Sequence, residues 1–278
     1  MIPHRAFGPA GIDVPVIGQG TWKIDHGDRA EAIAALRRGL DLGLTHVDTA
    51  EMYGDAELIV SKAIDGRRDE VFLVSKVLPS NASSAGTTTA CERSLRRLGT
   101  DRLDCYLLHW AGAHPLEETV AAFEALKRDG KILSWGVSNF DEDELDALWQ
   151  VEHGDRVVCN QVLYHLGERA IEHAVIPWCD SRNVAVVAYS PFGQDDFPAA
   201  RSSAGRVLQT IAERHDATPR QVALAFLTRR ASVFAIPKAG RRAHVDENAG
   251  VVSLTEKDVA DIDAAFPRRA KPRSLPML

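Results

Sequence analysis

The feature that most restricts the fold of this chain is a set of eight short apolar runs separated by longer stretches with helical periodicity. Runs that are apolar on both faces, each followed by a helix, are typical of parallel strands that helices cover on the outside. Eight such units predict an α/β fold and favour a closed (β/α)8 TIM barrel. An open doubly wound sheet is the alternative, because sequence does not show closure. The runs are residues 16–20, 44–48, 71–76, 103–109, 132–138, 157–161, 184–190 and 233–238.

Stretches with apolar residues three and four positions apart lie between these runs and predict helices. The stretch 28–43 begins with an acidic N-cap and ends at glycine, and 218–230 begins with a Thr-Pro pair suited to a helix N-terminus. Residues 5–18 read as two extended pieces around a Gly-Pro-Ala-Gly turn, which predicts a β-hairpin. No linker divides the sequence, so we expect one domain over residues 1–278. The other predicted helices are 85–99, 116–130, 141–150, 203–215 and 255–266.

The composition excludes several classes of protein. Acidic residues outnumber basic ones and give a formal net charge of -6, so no surface for nucleic acid is expected. No run of about 18 apolar residues is present to span a bilayer, so no membrane contact is expected. The four cysteines lack CxxC spacing and the N-terminus lacks the apolar segment of a signal peptide, which together predict a cytoplasmic protein.

Polar side chains follow the apolar runs at the point where each predicted strand ends. In barrel enzymes this C-terminal rim is the functional face. Each residue alone has an ordinary interpretation, such as a helix cap or a lysine that extends to solvent. An acid, a lysine and a histidine on consecutive strand ends are a less ordinary combination. The strand-end residues are Asp48, Lys76, His109, Ser138, Asn139, Gln161, Tyr189, Ser190 and Lys238.

Four of these rim positions suit the transfer of a proton to an oxygen atom. Tyr53 follows Asp48 closely, and a tyrosine with its ordinary pKa of about 10 is a poor proton donor. The ammonium of Lys76 would lower that pKa, and Asp48 would hold the lysine and balance its charge. A neutral His109 would orient a substrate oxygen on which negative charge develops. This chemistry predicts reduction of a carbonyl group, which requires a hydride source.

Other chemistries fit the sequence less well. Residues 136–140, GVSNF, lack the second glycine of a nucleophile elbow, and no HExxH, Walker A or EF-hand motif is present, so no metal site is expected. Residues 18–23, GQGTWK, lack the Rossmann glycine pattern. Asp48 and Glu51 as a glycosidase pair is disfavoured, because such enzymes normally take their carboxylates from different strands.

Eight motifs follow one another along the chain: GQGTW, DTAEMYGDAE, VSKV, LLHW, WGVSNF, NQVLYHL, AYSPFG and IPKAGRRAHVDENA. With these motifs the chain resembles the aldo-keto reductases over essentially its whole length. The resemblance implies a barrel plugged at its bottom by the N-terminal hairpin. It also implies reduction of aldehydes and ketones with NAD(P)H. Carried over by position, it implies Tyr53 as general acid, Lys76 and Asp48 as the groups that tune it, and His109 as the residue that places the carbonyl.

The same resemblance implies a binding site for the cofactor. The nicotinamide amide is expected against Ser138, Asn139 and Gln161, with Tyr189 stacked on the ring and the loop 190–193 at the pyrophosphate. Lys238 is expected beside the adenosine 2'-phosphate. The full set of implied cofactor contacts is Gly20, Thr21, Trp22, Ser138, Asn139, Gln161, Tyr189, Ser190, Pro191, Phe192, Gly193, Ile236, Lys238, Arg242, His244, Glu247 and Asn248.

Two positions depart from the pattern of many family members. Ala239 replaces a serine and His244 replaces an arginine, and both changes remove contacts to the 2'-phosphate. Arg241 or Arg242 could substitute, because a guanidinium binds phosphate well, or both could be ordinary solvated charges. The resemblance therefore implies NADP(H), with NAD(H) as the alternative.

The sequence is also similar to a bacterial subgroup that reduces methylglyoxal and other small 2-oxo-aldehydes. The loop after the SPFG segment and the C-terminal tail are short, which predicts an open pocket for a small carbonyl substrate. We expect Trp22, Met52 and Trp110 to line it, together with tail residues such as Leu275. The alternatives are a non-catalytic NADP-binding and sensing module of the same fold, and a hydrolase on the same scaffold. A monomer is the expectation from the family.

Overall fold

The computed structural model describes residues 2–278 as a barrel with an N-terminal hairpin. Its strands alternate with helices in the order predicted from the apolar runs. The strands are β1 His4–Ala6, β2 Asp13–Pro15, β3 Gln19–Gly20, β4 His46–Asp48, β5 Phe72–Val77, β6 Leu103–Leu108, β7 Ile132–Ser138, β8 Cys159–Leu163, β9 Ala185–Tyr189 and β10 Val233–Ala235. The helices are α1 Arg29–Asp41, α2 Ala56–Ile64, α3 Ser84–Leu98, α4 Leu116–Arg128, α5 Glu142–Gln150, α6 Val175–Ser181, α7 Ser203–Arg214, α8 Pro219–Leu227, α9 Arg242–Asn248 and α10 Glu256–Ala265.

The eight strands β3 to β10 are parallel and pair in chain order. The sheet closes because the segment that leads into β3 pairs with the last strand, through bridges from Ile17 to Ala235 and from Gly20 to Lys238. The Gly18 N–H donates to the Ala235 carbonyl at 2.8 Å across this seam. The closed (β/α)8 barrel is therefore confirmed, and the open doubly wound sheet is excluded.

Capping residues fix several helix starts that the sequence predicted. The Asp28 carboxylate accepts from the Glu31 N–H at 2.7 Å. Thr218 and Gln221 form a capping box, in which each side chain binds the backbone N–H of the other residue. Three helices, α2, α6 and α9, were not predicted. They have only seven to nine residues each, too few for a clear helical period.

The N-terminal hairpin closes the bottom of the barrel, as predicted. Phe7 is 1% exposed and lies against Phe72 and Phe234, with ring centroids 4.9 and 5.1 Å away. The Arg5 guanidinium donates to the carbonyls of Thr228 and Arg230 at 2.9 and 2.6 Å and ties the hairpin to the chain before β10. The plug therefore combines apolar packing inside the barrel with hydrogen bonds at its edge.

Residues 2–278 contain neither a membrane-spanning helix nor a cluster of metal-ligating side chains. None of their helices is both long and apolar enough to cross a membrane. No group of three or more histidine, cysteine or acidic side chains in this part of the chain is arranged to hold a metal ion. The four cysteines are buried and unpaired.

Replacing Phe7 by alanine should destabilise the protein by about 3 to 5 kcal/mol, because it leaves a cavity inside the plugged barrel. Urea unfolding followed by far-ultraviolet circular dichroism would measure the free energy of unfolding. Ile12→Ala is the matched control, since Ile12 lies in the same hairpin but is 36% exposed. A loss for Phe7→Ala no larger than for the control would show that the ring does not fill the barrel.

Candidate active site

A buried ion pair lies at the centre of the C-terminal rim. Lys76 on β5 is 0% exposed, and its ammonium donates to Asp48 Oδ1 at 2.5 Å and to the Thr49 carbonyl at 2.8 Å. The other oxygen of Asp48 accepts from Gln161 Nε2 at 2.7 Å, and the Asp48 carbonyl accepts from Thr21 Oγ1 at 2.9 Å. Lys76 of β5 and Gln161 of β8 thus each bind one oxygen of the carboxylate, and Asp48 and the Thr49 carbonyl hold the lysine in place.

Tyr53 and His109 lie next to this pair and face the same cavity. The Tyr53 hydroxyl is 3.4 Å from His109 Nε2, and Lys76 Nζ lies 5.0 Å from the centre of the Tyr53 ring. His109 Nδ1 is buried and has no hydrogen-bond partner among the described residues. Trp110 packs beside the imidazole, with ring centroids 5.0 Å apart. The structure therefore brings together all four residues that the sequence proposed as catalytic.

Burial and the Lys76 charge determine the protonation of these groups. Burial, reinforced by the Lys76 charge, lowers the pKa of His109 to about 2, so its imidazole is neutral at physiological pH. Burial also raises the pKa of Tyr53. The Lys76 charge opposes that shift, as the sequence suggested, but has the smaller effect. Burial by itself lowers the pKa of Lys76, but Asp48 and Tyr53 together outweigh the effect of burial and the pKa is raised. The site therefore contains a cation, a protonated phenol and a neutral imidazole.

A polar edge of the cavity is formed by residues of β7, β8 and β9 and by Asn139, directly after β7. The Ser138 hydroxyl donates to the Gln161 carbonyl at 2.8 Å. Asn139 has a left-handed backbone, with φ of 61°, and its side chain donates to the His109 carbonyl at 3.0 Å. Its amide oxygen accepts from the Tyr189 hydroxyl at 2.8 Å. Side chains at the ends of β7 and β9 thus present fixed polar groups next to the catalytic candidates.

The cavity itself has a volume of about 190 Å3 and opens on the rim. A side chain at Gly20 would place its Cβ 2.5 Å from the Ile236 carbonyl, so glycine allows the two segments to approach closely. Lys76 is buried and is not one of the residues that line the cavity. The lining residues are Gly20, Thr21, Trp22, Asp48, Met52, Tyr53, His109, Trp110, Ser138, Asn139, Gln161, Tyr189, Ser190, Ile236, Lys238 and Leu278.

The remaining predicted cofactor residues do not line the cavity. They lie in two segments, each of which follows a lining residue in the chain. Pro191, Phe192 and Gly193 form the loop after β9, in which Gly193 has a left-handed backbone with φ of 71°. The second segment is α9, the helix that follows Lys238 in the chain. Its Arg242 and His244 are exposed, Glu247 is partly buried and Asn248 is buried.

Four residues at or near the site were missed or misjudged from the sequence. Leu278, the last residue, lines the cavity, whereas Leu275 packs against the hydrophobic core instead of entering it. Glu51 and Glu57 flank Tyr53 in the chain and are buried carboxylates bound by arginines of α3. Acidic residues in a polar loop read as solvated charges, so only the burial of these two carboxylates shows that they hold the loop in place.

The barrel and its rim define a TIM-barrel protein in which a tyrosine, a histidine and a buried Asp–Lys pair meet at the C-terminal ends of the strands. The profile of the Aldo/keto reductase family matches residues 16–266. Methylglyoxal reductase YeaE of Escherichia coli is 48% identical, over 92% of this chain and 92% of its own. Glyoxal reductase of Bacillus subtilis is 32% identical, over 91% and 90% of the two chains. The crystal structure of an aldo/keto reductase from Klebsiella pneumoniae in complex with NADP and acetate is 43% identical and superposes with a TM-score of 0.94 over 100% of both chains.

The chain belongs to the aldo/keto reductase family and is an oxidoreductase. The resemblance seen in the sequence motifs is confirmed over nearly the whole chain by the family match and by the relatives.

Replacing His109 by glutamine should make stability less sensitive to acid. A histidine with a pKa of about 2 when folded and about 6.5 when unfolded binds protons only in the unfolded state between these values. It therefore lowers the free energy of unfolding by about 1.4 kcal/mol for each pH unit below about 6. Urea unfolding between about pH 6 and pH 4 should show a slope smaller by this amount in the variant. An unchanged slope would mean that His109 is protonated in the folded protein.

Proposed function

We propose that this protein reduces aldehydes and ketones to alcohols with NADPH, and that small 2-oxo-aldehydes such as methylglyoxal are its substrates. The observation that carries the proposal is the arrangement of Tyr53, His109, Lys76 and Asp48 at one end of the cavity. This arrangement provides a proton donor, a neutral hydrogen-bonding group and a buried cation within a few ångströms of one another.

The residues act on the carbonyl oxygen. His109, which is neutral, positions that oxygen beside the Tyr53 hydroxyl. Tyr53 is protonated at neutral pH and donates its proton as negative charge develops on the oxygen. The Lys76 ammonium then stabilises the phenolate, which regains a proton from solvent. Asp48 holds Lys76 and compensates its charge inside the barrel. When bound, the reduced cofactor supplies the hydride that the carbonyl carbon accepts.

The polar edge of the cavity fits a nicotinamide ring and its amide. Hydrogen-bond donors and acceptors meet at the rim, contributed by Ser138, Asn139 and Gln161. Tyr189 provides an aromatic face next to them. Among the described residues that line the cavity, Lys238 is the only lysine or arginine. The Klebsiella pneumoniae relative was crystallised with NADP, which supports the same cofactor here.

The 2'-phosphate of NADPH is assigned to Lys238 and the start of α9. Lys238 lines the cavity, and Arg242 and His244 are exposed in the first turn of this helix. Ala239, where many family members have serine, is 8% exposed and carries no donor for a phosphate. NADH is the alternative cofactor, since alanine at position 239 makes fewer contacts to the 2'-phosphate than serine would.

The size and lining of the cleft favour a small carbonyl compound. Trp22, Met52 and Trp110 give it one apolar wall, and Leu278 adds to that wall from the C-terminus. A volume of about 190 Å3, shared with a nicotinamide ring at the polar edge, leaves room for a small carbonyl compound. The similarity to methylglyoxal reductase YeaE supports a 2-oxo-aldehyde. The cytoplasmic location, the monomeric state and the single domain stay predictions from the sequence.

Replacing Tyr53 by phenylalanine should lower kcat by about 100- to 10,000-fold, because only the proton donor is removed. Consumption of NADPH in the presence of methylglyoxal or phenylglyoxal, followed by absorbance, measures this. Binding of NADPH, followed by quenching of tryptophan fluorescence, should stay unchanged and serves as the control. If the wild-type protein turns over no aldehyde with either cofactor, the non-catalytic binding module becomes the better account.

Replacing Lys238 by methionine should raise the KM for NADPH by about 10- to 100-fold, the effect of losing one hydrogen bond to a charged group. The KM for NADH should change little, because NADH lacks the 2'-phosphate. Steady-state kinetics with both cofactors measure these two KM values. Lys257→Met, on the exposed side of α10, is the control. Equal effects on both cofactors would contradict the assignment of Lys238 to the phosphate.

A further inference from the structure

The loop that carries Tyr53 is held by two buried carboxylates, one on each side of the tyrosine. Glu51 is two residues before Tyr53 and its side chain is 5% exposed, and Glu57 is four residues after it and 1% exposed. Buried carboxylates are costly unless each one is paired and hydrogen-bonded. The partners of these two groups therefore determine where the loop can lie.

Both carboxylates bind the strand that carries Lys76. Glu51 Oε1 accepts from the Leu78 N–H at 2.7 Å, directly after β5, and from Asn81 Nδ2 at 2.9 Å. Glu57 Oε1 accepts from the Ser75 hydroxyl at 2.9 Å, on the residue next to Lys76. The loop that holds the proton donor is thus fixed directly to the strand that holds the lysine.

Two arginines one turn apart on α3 complete these contacts. Arg93 forms an ion pair with Glu51. Arg97 Nε donates to Glu57 at 3.0 Å, and its terminal nitrogen donates to the Gly54 carbonyl at 2.5 Å, on the residue after Tyr53. The spacing of four residues places both guanidinium groups on one face of the helix. Neither arginine lines the cavity.

We propose that the pairs Glu51–Arg93 and Glu57–Arg97 are positioning residues that set the distance between Tyr53 and Lys76. This proposal rests on the proposed role of Tyr53 as proton donor. Because the Lys76 charge opposes the rise in the pKa of Tyr53, a looser loop weakens that effect. Because the Tyr53 hydroxyl must also reach the substrate oxygen, a displacement of about 1 Å is enough to slow the reaction about 100-fold.

Arg97→Ala and Arg93→Ala should each lower kcat by about 10- to 100-fold and leave the KM for NADPH unchanged, since the cofactor contacts are intact. The alkaline limb of the kcat/KM profile should move to higher pH, because Tyr53 loses stabilisation of its phenolate. Guanidinium ion at millimolar concentration should restore part of the activity of Arg97→Ala. Arg97→Lys should retain part of it, since lysine can make one of the two hydrogen bonds.

A second measurement needs neither cofactor nor turnover. Hydrogen exchange followed by mass spectrometry should show faster exchange in residues 49–56 of both alanine variants, where the amides of Thr49 and Glu51 bond to the Val74 and Lys76 carbonyls. Glu92→Gln is the matched control, because Glu92 lies on the same helix but pairs with Lys131 at 2.5 Å, away from the loop. Melting temperatures of all variants exclude global unfolding as the cause.

The outcomes separate the two proposals. The positioning role would be overturned if the arginine variants kept the wild-type kcat, pH profile and hydrogen exchange. If Tyr53→Phe were inactive in the same experiments, the proposed function would stay intact. Full activity of Tyr53→Phe would overturn the role of Tyr53, while faster exchange in the arginine variants would still show that the pairs hold the loop. If only stability falls, and kcat per folded molecule and the alkaline limb are unchanged, the pairs are merely structural.

Discussion

The ion pair between Asp48 and Lys76 is the interaction on which the rest of the site depends. An ammonium and a carboxylate taken out of water each cost several kcal/mol, so neither would be stable in the barrel without the other. Gln161 and the Thr49 carbonyl satisfy the remaining hydrogen-bonding capacity of the pair. These partners come from different strands, so the ion pair also requires a barrel that is closed and correctly registered.

The charge of Lys76 also affects the pKa values of its neighbours, in addition to burial. It adds to the burial that keeps His109 neutral, and it opposes the burial that raises the pKa of Tyr53. One buried cation therefore favours an imidazole that only donates or accepts a hydrogen bond and a phenol that can lose its proton to a substrate. The carboxylates that flank Tyr53 connect this electrostatic arrangement to α3, well away from the cavity.

Much of the fold and site could be predicted because the signals are local. The alternation of apolar runs with helical stretches predicted eight strands, and the hairpin and most helices were confirmed. Strand bounds were less accurate: residues 16–20 were predicted as a strand, but only Gln19–Gly20 are one. His109 and Ser190 lie one residue beyond their strands, and Lys238 lies three residues beyond β10, where a single bridge to Gly20 continues the pairing. Leu278 was missed because a terminal leucine carries no local signal for a pocket built from distant parts of the chain.

The sequence by itself determined the architecture, the order of chemical groups at the strand ends and the family. Apolar periodicity decides which face of a strand or helix is buried, and that information is carried by neighbouring residues. Only the tertiary structure decided that the sheet closes, that Gln161 binds Asp48 across 113 positions, and that Glu51 is a buried anchor rather than a solvated charge. It also decided that burial raises the pKa of Tyr53 more than the charge of Lys76 lowers it. These outcomes depend on burial and on contacts between distant segments, which a local pattern does not encode.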